Sequence, residues 1–156
     1  MLRQSKNWTK YIKLILLISW MTLIFSFSAK EADESTLASQ SAGSFLASIV
    51  IPEYKQWNPA KQQDFVENID FFVRKSAHFT EYMVLGILWT LYWDGRKRRS
   101  FLCGSLYAVT DEIHQLFVAG RSCQITDMLL DSAGVASGIF FLWVVQCLIH
   151  VWKRKN

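Results

Sequence analysis

Apolar residues are concentrated in four windows of this 156-residue chain instead of being spread along it. The windows cover residues 12–27, 76–93, 101–119 and 128–151. Each is close to the roughly 20 residues that a helix needs to cross a bilayer core of about 30 Å. The pattern therefore predicts an all-α fold: a small polytopic membrane protein built as a bundle of four transmembrane helices.

The polar stretch between the first two windows has a helical pattern of its own. Its first part carries apolar residues at intervals that suit one helical face, so we expect it to lie along the membrane surface. Asn58 and Pro59 have the pattern of an N-cap and a first helical residue. An apolar stripe from Phe65 to Val73 follows and runs without a breaker into the second window. An amphipathic helical segment is therefore predicted between the first and second spans.

These patterns divide the chain into five parts. We predict a cytoplasmic basic N-terminus (1–11), a first span (12–27), an extracytoplasmic helical segment (28–74), a core of three spans (75–152) and a basic tail (153–156). The first span also has the basic start and short apolar run of a signal peptide, which is the alternative interpretation. The other three spans keep the same orientation in both cases.

The positions of the basic residues predict the orientation. Clusters at 3–13, 96–99 and 153–155 hold eleven of the 17 Lys and Arg residues, and Asp94 is the only acidic residue beside them. Four alternating spans would place all three clusters on one face, and excess Lys and Arg marks the cytoplasmic face. We therefore expect a multi-pass plasma-membrane protein with both termini in the cytoplasm. Topology explains the net charge of +4, so no nucleic-acid partner is expected.

Ionisable residues inside the predicted spans are the most informative feature. A charged side chain at the bilayer centre costs roughly 2.5–3.5 kcal/mol, so such residues normally face the bundle interior. Their helical spacing gives one polar seam on each of the last three spans, and these seams should meet in an outward-facing polar pocket. The predicted ligand-binding residues are Lys75, His78, Glu81, Tyr82, Asp111, Glu112, Gln115, Arg121, Asp127 and Asp131.

Three glycines in these spans are predicted to serve helix packing. Gly134 and Gly138 form a G-x-x-x-G pair, which allows two helix backbones to approach closely, and Gly86 is placed in the same class. The three cysteines have no metal-ligand spacing and are interpreted as small apolar fillers. A divalent metal among the carboxylates is conceivable, but no compact ligand motif is present, so neither a metal nor a cofactor is expected.

The polar seams contain motifs that resemble a known family. The motifs are Lys75-Ser-Ala-His78-Phe-Thr-Glu81-Tyr82, Asp111-Glu112-Ile-His-Gln115, Gly120-Arg121 and Asp127-x-x-x-Asp131-x-x-Gly134-x-x-x-Gly138, and together they resemble the signature of VanZ-like membrane proteins. The resemblance implies a bacterial plasma membrane and an association with teicoplanin resistance, with no firmly assigned catalytic activity. Ala119 stands where many members have proline, and Asp131 where many have asparagine.

Three functions are consistent with these residues. The favoured one is a protein whose pocket binds a membrane lipid, a lipid-linked cell-wall component or the drug itself, and so lowers glycopeptide sensitivity. The second is a membrane-embedded enzyme acting on a lipid or peptidoglycan precursor, with Glu81 or Asp111 as acid or base beside His78. The third is a carrier of protons or a small solute. Alternatively, the polar residues only fix helix packing. The sequence pattern does not indicate which oligomeric state the protein has.

Overall fold

The computed structural model describes residues 2–155, with side chains from residue 8 onward. Within that range the chain is helical and contains no strand. The α-helices are α1 (Leu2–Ser28), α2 (Ala32–Val50), α3 (Pro59–Tyr92), α4 (Lys97–Gln115) and α5 (Ile125–Lys155), with a short 3-10 helix at Tyr54–Gln56. The predicted all-α class is confirmed. The side chains of Arg3 and Lys6, part of the predicted basic N-terminus, lie outside the described residues.

Helix α3 is one continuous helix of 34 residues that joins the predicted amphipathic helix to the predicted second span. It begins at the predicted position, because the Asn58 side chain accepts a hydrogen bond from the backbone N–H of Lys61 at 2.8 Å and Pro59 is the first helical residue. Such a cap satisfies a backbone donor that has no partner within the helix.

Helix α2 packs antiparallel along the first half of α3, and its location at the membrane surface stays a prediction. Gly43 of α2 faces Ile69 and Val73, and Ala47 shares an apolar cluster with Val66. The apolar stripe of α3 therefore has a protein partner, and α2 and α3 form a helical hairpin. The reason is the continuity of α3, which extends its stripe beyond the four-helix region and leaves it available for α2.

Side-chain contacts give the relative directions of α1 and α3. Lys13 pairs with Asp94 just beyond the end of α3 at 2.6 Å. Farther along α1, the indole N–H of Trp20 donates to the backbone oxygen of Glu81 at 2.9 Å. Residue numbers rise along α1 as they fall along α3, so the two helices are antiparallel.

Helix α4 runs parallel to α1. The Tyr107 hydroxyl donates to the backbone oxygen of Met21 at 2.6 Å, and the Gln115 amide donates to the Ser28 hydroxyl at 3.2 Å. These contacts hold α1 against the C-terminal half of α4, which contains the motif residues of that helix.

Helices α3 and α5 run parallel and make the most extensive helix contact in the structure. Its close approach depends on three glycines. A Cβ at Gly134 would come within 2.6 Å of the backbone oxygen of Phe79, and one at Gly138 would collide with that of Met83. Gly86 approaches the backbone of Val135 in the same way. All three positions must lack a side chain for the backbones to meet.

Two helical segments are long and apolar enough to cross a membrane by length and composition, namely Trp8–Ser28 and Ile125–Lys155. The predicted spans in α3 and α4 do not meet that criterion, because their polar and charged seams lower the mean hydropathy. The outer face of α4 is nonetheless apolar, with Leu102 67% and Leu106 65% exposed. The helices and their alternating directions are thus established, while the four-span bundle remains a prediction.

Candidate functional site

A cavity of about 230 Å³, here called the polar cavity, lies between α3, the α4–α5 loop and the start of α5. Its polar and charged lining residues are Arg74, Lys75, His78, Gln115, Arg121, Ser122, Gln124 and Asp127. Five of the eight belong to the predicted binding set. Ser122, Gln124 and Arg74 were missed, although Arg74 stands four residues before His78 and so shares its helix face.

The carboxylates around this cavity are already paired with two of its cations. Lys75 forms an ion pair with Asp127, which links α3 to the first turn of α5. Arg74 forms an ion pair with Asp70, and Asp70 also accepts a hydrogen bond from the Ser39 hydroxyl of α2. Both pairs position a cation at the cavity wall and offset its charge.

Arg121 differs from these two cations. Its Nε donates to the backbone oxygen of Lys30 at 3.3 Å, and no carboxylate in the described part of the chain forms an ion pair with it. Burial lowers the pKa of Arg121, but an arginine remains protonated at any physiological pH. The charges of Asp111 and Glu112 act on Arg121 only from beyond ion-pair distance. A partly buried guanidinium with no carboxylate in direct contact favours a negatively charged ligand.

A second cavity of about 270 Å³, here called the amphipathic cavity, lies between α1, α2 and α3. It shares Arg74, His78 and Arg121 with the polar cavity. Glu81 also lines it, one helical turn from His78. The rest of its wall is largely apolar and includes Phe27, Ala38, Ala42, Val73 and Ala77. The same cationic groups therefore face both a polar and a largely apolar space.

The remaining predicted site residues lie deeper in the bundle and line neither cavity. The Tyr82 hydroxyl donates to Oδ2 of Asp111 at 3.0 Å, and both side chains are buried. Glu112 accepts a hydrogen bond from the backbone N–H of Gln124 at 3.0 Å. Asp111, a catalytic candidate from the sequence, is thus placed in a helix-to-helix hydrogen bond away from the cavity walls.

Asp131 is the exception in this buried layer. Its side chain is 1% exposed, and neither carboxylate oxygen has a hydrogen-bond partner among the residues that the structure describes. Its electrostatic neighbours include the carboxylates of Glu112, Asp111 and Asp127. The polar seams therefore form two layers, a cationic one at the cavities and an acidic one beneath them.

The motifs on these elements belong to one sequence family. The sequence model of the family described as VanZ/LLP1 matches residues 13–146, which is most of the chain. The chain belongs to the VanZ/LLP1 family. Comparison with curated proteins and with solved structures finds no match. The family match covers both cavities and residues 13–28 of α1.

The Gly120-Arg121 motif of this VanZ/LLP1 protein forms a turn that rests on the start of α2. Gly120 has a φ of +72°, a conformation that glycine adopts without strain, and a Cβ there would approach Ala32 to 2.9 Å. The backbone oxygen of Ala119 accepts a hydrogen bond from the N–H of Ala32 at 3.2 Å. Because this contact uses a carbonyl group, a proline at position 119 would keep the acceptor.

The acidic layer of the VanZ/LLP1 fold is not arranged as a metal centre. Across residues 8–155, no group of three or more His, Cys, Asp and Glu side chains is placed to hold a metal ion. Asp111, Glu112 and Asp127 instead interact with Tyr82, Gln124 and Lys75. The three cysteines, Cys103, Cys123 and Cys147, are free thiols.

Proposed function

We propose that this VanZ/LLP1 protein binds the anionic head group of a lipid-linked envelope component and thereby lowers sensitivity to glycopeptide antibiotics such as teicoplanin. The observation that carries the proposal is the position of Arg121, which faces both cavities and has no carboxylate partner in the described chain. A guanidinium presents its N–H donors in a planar fork that matches phosphate or carboxylate oxygens.

The proposal includes a four-span topology with both termini in the cytoplasm. Arg96, Lys97, Arg98 and Arg99 follow the end of α3, and the cavities lie near Lys75, roughly 25 Å along the same helix from Tyr92. That separation is close to the thickness of a bilayer core. If the basic cluster is cytoplasmic, as the distribution of charge favours, the cavities open on the outer side.

A binding measurement tests the head-group site. The full chain in phosphatidylcholine nanodiscs is titrated with a polyprenyl phosphate, and Arg121→Gln is compared with native protein. We expect binding to weaken by about tenfold or more, since a charged hydrogen bond contributes about 1.5–3 kcal/mol. Arg98→Gln, which removes the same charge from the basic cluster, is the control and should bind like native protein. Equal affinity for Arg121→Gln and native protein would contradict the head-group site.

A cellular measurement tests the link to resistance. A Gram-positive host that lacks this chain is given native protein, Arg121→Gln or Arg98→Gln at matched membrane abundance, and teicoplanin sensitivity is recorded. Native protein and Arg98→Gln should protect the cells, and Arg121→Gln should not. If all three proteins protect the cells, Arg121 is not needed for resistance. If none of them protects the cells, the proposed role in resistance is wrong.

One observation favours a second candidate function, catalysis on the bound head group. His78 and Glu81 line the amphipathic cavity together with three cationic residues, so acid/base groups and cations share one space. The cationic residues are Lys30, Arg74 and Arg121. Incubation of purified protein with a labelled lipid-linked precursor would distinguish the two functions. A product formed by native protein and lost in Glu81→Gln, with head-group binding retained, would establish an enzyme.

A further inference from the structure

The amphipathic cavity continues into a third space, an open groove of about 530 Å³ between α1, α2 and α3, here called the lateral groove. The two spaces share Ala42, Val73, Ala77 and Glu81. The polar cavity, the amphipathic cavity and the lateral groove thus form a series of adjacent spaces. Their lining changes along the series from charged to largely apolar.

The lateral groove is lined mainly by apolar residues and opens away from the helix bundle. Its walls include Trp20 of α1, Leu46 of α2 and Phe72 of α3. Leu46 is 50% and Phe72 68% exposed, so no element of the described chain covers this side. The hydrogen bond from the Trp20 indole to the Glu81 backbone holds α1 against α3 at the end of the groove next to Glu81. The groove is therefore closed on one side by the contact between α1 and α3 and open on the other side, here called its open flank.

Charge separates the two ends of the series. Arg74 and Arg121 attract an anion at one end, whereas no lysine or arginine lines the lateral groove. A negatively charged group is therefore retained beside the arginines and is disfavoured farther along. An uncharged hydrocarbon chain, in contrast, gains favourable contact with the apolar walls when it leaves water.

We infer that the ligand is an amphiphile whose hydrocarbon chain lies in the lateral groove while its phosphate-type head group occupies the cationic cavities. The inference rests on the proposed function and specifies the substrate class for that site. The open flank allows the amphiphile to enter sideways from the outer leaflet, without the whole molecule passing through the aqueous mouth of the polar cavity.

Alkyl phosphates that differ only in chain length test the inference. Methyl phosphate and octyl phosphate are titrated against the full chain in phosphatidylcholine nanodiscs. Native protein should bind octyl phosphate about tenfold or more tightly than methyl phosphate, because full burial of one methylene raises affinity by a factor on the order of four. Equal affinity for the two compounds would overturn the inference.

A substitution confined to the lateral groove provides the second arm. Thr80 lines the lateral groove but neither cationic cavity, and it is exposed. Thr80→Trp should remove most of the gain in affinity that the octyl chain gives over the methyl group, since a tryptophan fills space that the chain needs. Its affinity for methyl phosphate should change by less than about twofold. Thr110→Trp is the matched control, because Thr110 is also an exposed helical threonine whose hydroxyl donates to its own helix backbone. It should retain the octyl gain.

The two proposals fail in different ways. If Thr80→Trp retains the full octyl gain while Arg121→Gln weakens both phosphates, the inference is overturned and the head-group site stands. If Arg121→Gln binds methyl and octyl phosphate as native protein does, the head-group site itself is wrong. Loss of the octyl gain in Thr80→Trp but not in Thr110→Trp supports both.

Discussion

At the scale of single residues, the contact between α3 and α5 depends on glycines, which have no side chain to separate the two helices. Gly138 and Gly134 lie against backbone carbonyl groups of α3, where a methyl group has no space to move into. Gly43 on α2 is different, because a Cβ there would make ordinary contacts of 3.4–3.7 Å with Ile69 and Val73. The same substitution should therefore have opposite effects at the two kinds of glycine.

Gly138→Ala should destabilise the protein, and Gly43→Ala should not. We expect Gly138→Ala to lose about 1–3 kcal/mol because α5 must move away from α3. Gly43→Ala should be neutral or gain up to about 1 kcal/mol, since alanine is the better helix residue. Thermal unfolding in detergent measures both. An unfolding temperature for Gly138→Ala equal to that of native protein would mean that the helices are not as close as described.

Asp131 of α5 is a buried acidic residue within the acidic layer. Its carboxylate oxygens have no hydrogen-bond partner in the described chain, and its electrostatic neighbours are other carboxylates. Asp131→Asn removes the negative charge that those neighbours repel and supplies amide N–H donors in its place. In alkaline buffer, where the carboxyl groups are ionised, the unfolding temperature should rise by about 2–4 °C. A lower unfolding temperature would show that Asp131 has a favourable partner.

At the scale of elements, the α2–α3 hairpin controls one wall of the cationic cavities. Asp70 connects the two helices, because it accepts from Ser39 of α2 and pairs with Arg74 of α3. The hairpin therefore positions Arg74 as well as covering the apolar stripe of α3. Sequence reasoning found both helices but not this connection, because Ser39 and Asp70 are 31 residues apart and neither has a distinctive local pattern.

Asp70→Ala should loosen α2 without unfolding the bundle. Loss of hydrogen bonds to a charged group costs about 1.5–3 kcal/mol, so amide hydrogen exchange in α2 should become about tenfold faster. Exchange in α5 should not change. Asp64→Ala is the control, because Asp64 is an exposed acidic residue on the same half of α3. If α2 exchanges equally in both variants, Asp70 does not hold the hairpin together.

At the scale of the whole molecule, the two ends of the bundle differ in charge. Lys13 pairs with Asp94 at one end, and Lys97 lies over the ring of Trp143 at 4.5 Å near the same end. The cavities and the Gly120-Arg121 turn lie at the other end. This polarity is the basis for the proposed orientation in the membrane.

Cysteine labelling checks that orientation. The native cysteines, Cys103, Cys123 and Cys147, are replaced by serine, and Ser122→Cys or Arg98→Cys is introduced in turn. A membrane-impermeant maleimide should label Ser122→Cys in intact cells but label Arg98→Cys only after permeabilisation. Equal labelling of both after permeabilisation confirms that each site is reactive. The reverse pattern in intact cells would place the cavities in the cytoplasm.

The local features of the protein followed from sequence alone. Hydrophobic periodicity, the Asn58-Pro59 start signal and the VanZ-like motifs depend on residues a few positions apart, and these predicted an all-α fold, the start of α3 and family membership. Five of the eight polar residues at the polar cavity were also predicted, because intramembrane charge is costly and so marks a protein interior.

Only the tertiary structure decided how the polar seams divide. Lys75, His78 and Arg121 line the cavities, whereas Tyr82 and Asp111 bond to each other beneath them. Helical spacing gives the face on which a side chain lies but not which neighbour it meets or how close that helix comes. The glycine contacts between α3 and α5 and the packing of α2 on α3 set those distances, and they join residues far apart in the chain.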